Sequence, residues 1–132
     1  MTKKSKREFI VSAYAVSPYK GSEPGLGWNF IIEMSKFDII LHVITEKNEF
    51  ENDIIKIKDK LPNNVFFYFI PRIFSQKKFK IFGRAYYYYS YRNWQKSAYN
   101  EAKKIISIRN ITAVHQLNMI GFREPGYLWK LD

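Results

Sequence analysis

The 132 residues contain no cysteine, which excludes disulfide frameworks, thiolate metal sites and cysteine nucleophiles. Histidine is nearly as scarce: only His42 and His115 occur, which argues against a multi-histidine metal centre. There is no Asp-x-Asp sequence, and no apolar run reaches the roughly 18 to 20 residues that a membrane-spanning helix requires. Acidic residues are in deficit, 12 against 22 Lys plus Arg, for a formal charge of +10. No internal repeat is visible, and the low-complexity candidates are the Lys-rich start and the run Tyr86-Tyr87-Tyr88-Tyr89.

What is present suffices for one folded domain. The mass is 15.8 kDa, apolar residues make up 46% of the chain and aromatics 18%. Lys3, Lys4, Lys6 and Arg7 precede the apolar stretch from Phe9 to Val16, an arrangement that loosely mimics a signal peptide. Ser12 and Tyr14 interrupt that stretch, and a first buried strand is the better reading.

Strands are predicted over Phe9–Tyr14, Ile39–Thr45, Val65–Ile70 and Thr112–Leu117, each short and β-prone. Ile39–Thr45 is almost continuously apolar, as a strand covered on both faces must be. Helices are predicted over Trp28–Lys36 and Phe50–Leu61 and from about Phe82 to Ile108. The long helix has an apolar stripe at Tyr87, Tyr91, Trp94, Ala98, Ala102 and Ile105, opposite Arg92, Lys96, Asn100 and Lys103. Arg72 to Lys80 reads as basic and irregular, and a loop with a short helical turn follows Asn118. Strict alternation of strand and helix implies an α/β fold with a parallel sheet. Ligands on such sheets bind at the carboxyl ends of the strands where the order reverses, between the first and fourth strands in the usual doubly wound order. His42 alternates with Ile40 and Ile44 within a strand, so its reading is sheet packing.

The segment Val16 to Gly27 holds two prolines and three glycines and reads as a loop between strand and helix. Gly21, Ser22, Glu23, Gly25 and Gly27 form a candidate cradle for a phosphate or a cluster of sugar hydroxyls, since glycines permit close approach and the next helix begins with free N–H groups. The segment lacks both the dinucleotide fingerprint and the Gly-Lys-Ser/Thr ending of a P-loop, and Glu23 argues against a bare anion pocket. A tight structural loop accounts for the same glycines.

The string Gly21-Ser22-Glu23-Pro24-Gly25-Leu26-Gly27-Trp28, preceded by Tyr14-Ala15-Val16-Ser17-Pro18-Tyr19-Lys20, resembles the start of family 4 glycosyltransferases. Further matches follow in order: Ile44-Thr45, Asn64 to Pro71, Tyr88 to Gln95, Val114-His115 and Phe122 to Leu131. The resemblance implies a Rossmann-like domain, the incomplete N-terminal half of a two-domain GT-B enzyme that retains anomeric configuration. Residues 1–132 would then be the acceptor-side domain, with the donor-binding domain and its paired glutamates outside the sequence, and the chain inactive alone. It also implies a nucleotide-sugar as co-substrate, a saccharide or lipid-linked acceptor, no obligatory metal, no bound cofactor, and His115 as the catalytic histidine ending the fourth strand. Asn118, Arg123 and Glu124 would face the same cleft.

Lys77, Lys78, Lys80 and Arg84 lie next to Phe79, Phe82 and the tyrosine run. This composition fits a solvated basic face, an anionic membrane surface or nucleic acid. The expected location is cytoplasmic, extending to the inner membrane face. A non-catalytic basic module binding a membrane or nucleic acid is the alternative function. An uncovered fourth strand would favour self-association through its edge.

Overall fold

A computed structural model describes residues 4–118 and 128–131. Four strands, β1 (Arg7–Ala13), β2 (Ile39–Glu46), β3 (Val65–Ile70) and β4 (Ile111–Asn118), form one sheet in the order β3-β2-β1-β4. Every neighbouring pair is parallel. The helices are α1 (Ser22–Ser35), α2 (Lys47–Ile55), α3 (Gln76–Phe82) and α4 (Arg84–Ile108). The architecture is α/β and Rossmann-like. β1 is central, flanked by β2 and β4, and the chain reverses its direction across the sheet beside β1. Among the described residues β4 pairs with β1 alone and forms an edge.

Side-chain alternation along the strands feeds two cores, one per face. Ile10, Tyr14 and Ile44 point to one face and pack with Tyr91, Trp94, Ala98, Ala102 and Ile105 of α4. Val11, Ala13, Leu41 and Val43 point to the other and pack with Ile31 of α1 and Ile54 of α2. The predicted stripe of α4 is therefore the buried one, apart from Tyr87 at its margin, while Arg92, Lys96, Asn100 and Lys103 face water. Burying each large apolar side chain in this way contributes about 1.5–3 kcal/mol.

α1 and α2 begin earlier than their apolar periodicity indicates, whereas α4 begins at Arg84, just after the expected start near Phe82. α2 starts at Lys47, not Phe50, since the Glu46 carboxylate accepts from the backbone N–H groups of Asn48 (2.7 Å) and Glu49 (2.8 Å). The stretch read as irregular contains α3, capped by Ser75, whose hydroxyl accepts from Lys78 N–H at 3.5 Å. A break at Gly83, with φ 58° and ψ −136°, separates α3 from α4 in a region that side chains rarely enter.

At the amino ends of the strands lies a charged cluster. Glu8 accepts two bonds from the Arg109 guanidinium, 2.9 Å from Nε and 2.5 Å from Nη2. His42, buried in β2, lies 2.7 Å from Glu8 through Nε2 and 2.9 Å from the Tyr68 hydroxyl through Nδ1. This bears out the packing role read for His42. The Arg109 hydrogen bonds hold the Glu8 carboxyl below its usual range; burial opposes them and the His42 contact adds to them.

A carboxylate with a lowered folded pKa stabilises the fold above its unfolded pKa and ceases to do so as pH falls through the lower folded value. We predict that stability declines below about pH 4.3, the ordinary glutamate value, with Glu8 as a contributor. Glu8→Gln should lower the urea midpoint at neutral pH and flatten the acid limb of the stability profile. An unchanged acid limb would show that this cluster does not couple to folding.

Candidate functional site

The carboxyl end of β1 leads into a segment that is buried from Tyr14 to Ser17 and then emerges. Ser17 N–H donates to Pro24 O at 3.0 Å, and its hydroxyl donates to Asp53 Oδ2 at 2.6 Å and accepts from Tyr19 N–H at 3.1 Å. Lys20 reaches toward α2, with Nζ 3.4 Å from Glu49 O, 3.9 Å from Asp53 Oδ2 and 4.9 Å from the centre of the Phe50 ring. The loop is thus stapled to α2. Beside it a shallow groove of about 370 Å³ is lined by Ser17, Pro18, Lys20, Gly21, Ser22 and Trp28, among others.

Most of the predicted glycine loop is helical. α1 begins at Ser22, six residues before Trp28, with Gly21 as its N-cap and no side-chain cap. Pro24 falls in the first turn, where its missing N–H removes no helical bond. Gly25 and Gly27 lie inside the helix. Gly25 serves close approach: a Cβ there would stand 2.6 Å from Lys20 O. Gly27 is buried. Ser22 has a positive φ of 55°, an uncommon conformation for a residue with a side chain. Glu23 is exposed in the first turn, where a negative charge complements the helix dipole. Gly21, Ser22 and Glu23 therefore form the open start of α1, without a side-chain cap, at the reversal point of the sheet.

His115 does not end β4. The strand runs on to Asn118, with register shifts against β1 between Glu8 and Phe9 and between Ser12 and Ala13. His115 pairs with Val11 in register and lies parallel to the Phe30 ring, centroids 5.3 Å apart and planes 8° apart. It is exposed on the α1 face of the sheet. Phe30 is eight residues beyond Ser22, about 12 Å along the helix axis. The structure thus places His115 on β4, beside Val11 of β1 and against the body of α1 rather than its tip. Arg123, Glu124 and the side chain of Asn118 lie outside the described residues.

Four residues that were not among the site candidates, Tyr14, Thr45, Glu46 and Arg72, shape the same end of the sheet. Tyr14 is buried with its ring edge-on to Trp94 (4.8 Å), Tyr91 (5.2 Å) and Phe50 (6.3 Å). Burial raises its phenol above the usual range, which keeps the hydroxyl neutral. Arg72 Nη1 donates to that hydroxyl at 2.8 Å. Thr45 donates from its hydroxyl to Tyr14 O at 3.1 Å, and Glu46, buried, caps α2. The signal for Arg72 was its place directly after a strand-ending proline.

Lys77, Lys78, Lys80 and Arg84 are all exposed, as is every residue of α3 including Phe79, Ile81 and Phe82. Among the described residues, no helix is long and apolar enough to cross a membrane, and no group of His, Asp or Glu could hold a metal ion. No family model matches the chain, and no curated protein or solved structure is significantly similar to it.

The geometry of α1 makes opposite predictions for neighbouring positions. Gly25→Ala should destabilise the protein by about 1–3 kcal/mol, because backbone must move to admit the methyl group. Ser22→Gly should stabilise it by about 0.4–1 kcal/mol if the helix start is unchanged, by removing the left-handed penalty. Chemical denaturation of both variants checks this, and equal effects at the two sites would contradict the assigned helix start.

Proposed function

We propose that the chain is the N-terminal, acceptor-side portion of a retaining family 4 glycosyltransferase, which transfers a sugar from a nucleotide-sugar to a saccharide or lipid-linked acceptor. The observation that carries this reading is the position of the Gly-Ser-Glu-Pro-Gly-Leu-Gly-Trp string. It opens α1, the helix that follows β1, at the end of the sheet where α/β folds bind ligands and where β1 neighbours β4. Free backbone N–H groups of an uncapped helix start suit an anionic or hydroxyl-rich ligand. The Glu23 carboxylate, exposed at that start, accepts hydrogen bonds from sugar hydroxyls. His115, exposed on the same side of the sheet, is the candidate for contact with the donor sugar. Retaining transfer requires stabilisation of the leaving phosphate. In this reading a second domain, outside these residues, supplies most of that and holds the donor, without an obligatory metal.

The test starts with the reading frame beyond codon 132 in the source genome. We expect a second α/β domain with paired glutamates, and the protein encoded by both should transfer sugar from a nucleotide-sugar. Glu23→Gln and His115→Ala should each lower kcat/KM by about 100-fold or more. A stop codon with no such domain nearby, or full activity in both variants, would overturn the reading.

A second reading, a basic module that binds a membrane, is favoured by one feature. α3 exposes Phe79, Ile81 and Phe82 together with Lys77, Lys78 and Lys80, a pairing that suits an anionic bilayer surface. Co-sedimentation with phosphatidylglycerol vesicles should fall with salt and be lost in the triple exchange of these lysines for Glu. Stronger binding to RNA than to vesicles would assign the surface to nucleic acid. Light scattering tests the β4 edge, where self-association is expected.

A further inference from the structure

Among the described residues, Arg72 is a fixed cation at the carboxyl end of the sheet that the glycosyltransferase reading leaves without a role and that, unlike Lys20, has no carboxylate partner. The backbone around it is fastened at successive points. Trp94 Nε1 donates to Ile70 O at 2.9 Å, Asn48 Nδ2 to Arg72 O at 3.1 Å and the Ser90 hydroxyl to Ile73 O, while Ser75 N–H donates to the Tyr86 hydroxyl at 3.0 Å. The side chain is fastened as well. Nη1 donates to Tyr14, and the guanidinium carbon lies 4.8 Å from the centre of the Phe74 ring and 5.4 Å from that of Tyr87. Two members of the tyrosine run thus act here, Tyr86 on the loop and Tyr87 on the guanidinium.

The charge held in this way is not neutralised by a carboxylate among the described residues. Glu46, on the same end of the sheet, has both carboxylate oxygens engaged by the amides of α2. Residues 71–95 contain Arg72, Lys77, Lys78, Lys80, Arg84 and Arg92 and no Asp or Glu. The side chain is half-buried, and its Nε and Nη2 donate to no described group and are not sealed from solvent. An arginine fixed before a ligand arrives loses little side-chain entropy on binding, and its open edge matches two oxygens of a phosphate. The surrounding field favours a multiply charged anion over a single carboxylate.

We propose that Arg72 is an anion-binding residue that takes a phosphate group at the carboxyl end of β3. Within the glycosyltransferase reading, this gives the acceptor a phosphate, whether carried by a soluble sugar or by a lipid headgroup. The site itself rests only on the geometry around Arg72.

Titration of the 132-residue chain with inorganic phosphate, followed by NMR, tests it. We expect saturable shifts of the Arg72 Nε–H and of Tyr14 and Phe74. Arg72→Gln should weaken binding by about tenfold or more, and Arg72→Lys, which keeps charge but loses the fork, by a smaller factor. Arg84→Gln, an exposed cation of the same stretch, should leave the affinity unchanged. Tyr14→Phe keeps the ring and removes the hydroxyl contact, so it reports on preorganisation if Arg72→Gln fails to fold; its affinity should fall.

Phosphatidylcholine vesicles doped with phosphatidic acid form the second arm. Arg72-dependent binding to inorganic phosphate alone assigns a soluble phosphate, and Arg72-dependent binding to the vesicles assigns a headgroup; either supports the site. Equal losses in Arg72→Gln and Arg84→Gln, or no phosphate binding in either arm, would overturn it. Phosphate binding is read without sugar transfer, so its failure leaves the transferase reading to be judged by its own assay.

Discussion

The placement of Tyr14 is the constraint on which the upper half of the structure depends. It sits where β1 ends, and three separate parts of the chain are held through it. Its carbonyl accepts from Glu46 N–H at 3.1 Å and from the Thr45 hydroxyl, which aligns the end of β2 with the end of β1. Its ring enters the α4 core between Tyr91 and Trp94. Its hydroxyl, kept neutral by burial, accepts from Arg72 after β3. A buried phenol requires a partner, and the partner found is a cation from another strand end. One residue thus joins sheet register, core packing and the polar rim.

Around that anchor the two crossover segments are built differently. The β1–α1 connection is held by hydrogen bonds between Ser17, Pro24 and Asp53 and by the close pass of Gly25 against Lys20 O. The connection after β3 is held by side chains of α4 and α2 that bond its backbone at Ile70, Arg72, Ile73 and Ser75. Both leave polar groups pointing outward on a rigid base. In the first these are amides at an uncapped helix start; in the second, a guanidinium. Functional groups on loops gain from such support because their geometry is set before a ligand arrives.

Much of the fold was legible in the residues. Val65–Ile70 could be bounded from its β-prone run and the following Pro71, and the stripe Tyr91, Trp94, Ala98, Ala102 and Ile105 identified the buried face of α4. Strand-helix alternation implied the parallel order with β1 beside β4. Helix starts were less legible. In α1 and α2 they depend on Gly21 and Glu46, which precede the apolar periodicity, and in α3 on Ser75 within a stretch dominated by lysine. The candidate site was half legible. The glycine string lies at the carboxyl end of the sheet, yet its residues proved to be the first turns of a helix, and His115 lay three residues inside its strand because β4 runs on to Asn118.

The sequence alone determined the four strands, the body of α4, the two-faced burial of the sheet and the basic, aromatic character of the chain, because these follow from local periodicity and composition. Only the tertiary structure decided that Glu8, His42 and Arg109 meet, that Gly25 must admit Lys20 O, and that Tyr14 holds Arg72. Those contacts join residues far apart in the chain, up to 101 positions for Glu8 and Arg109. Their partners are set by strand order and register, which bring distant side chains within hydrogen-bond reach and which no local pattern encodes.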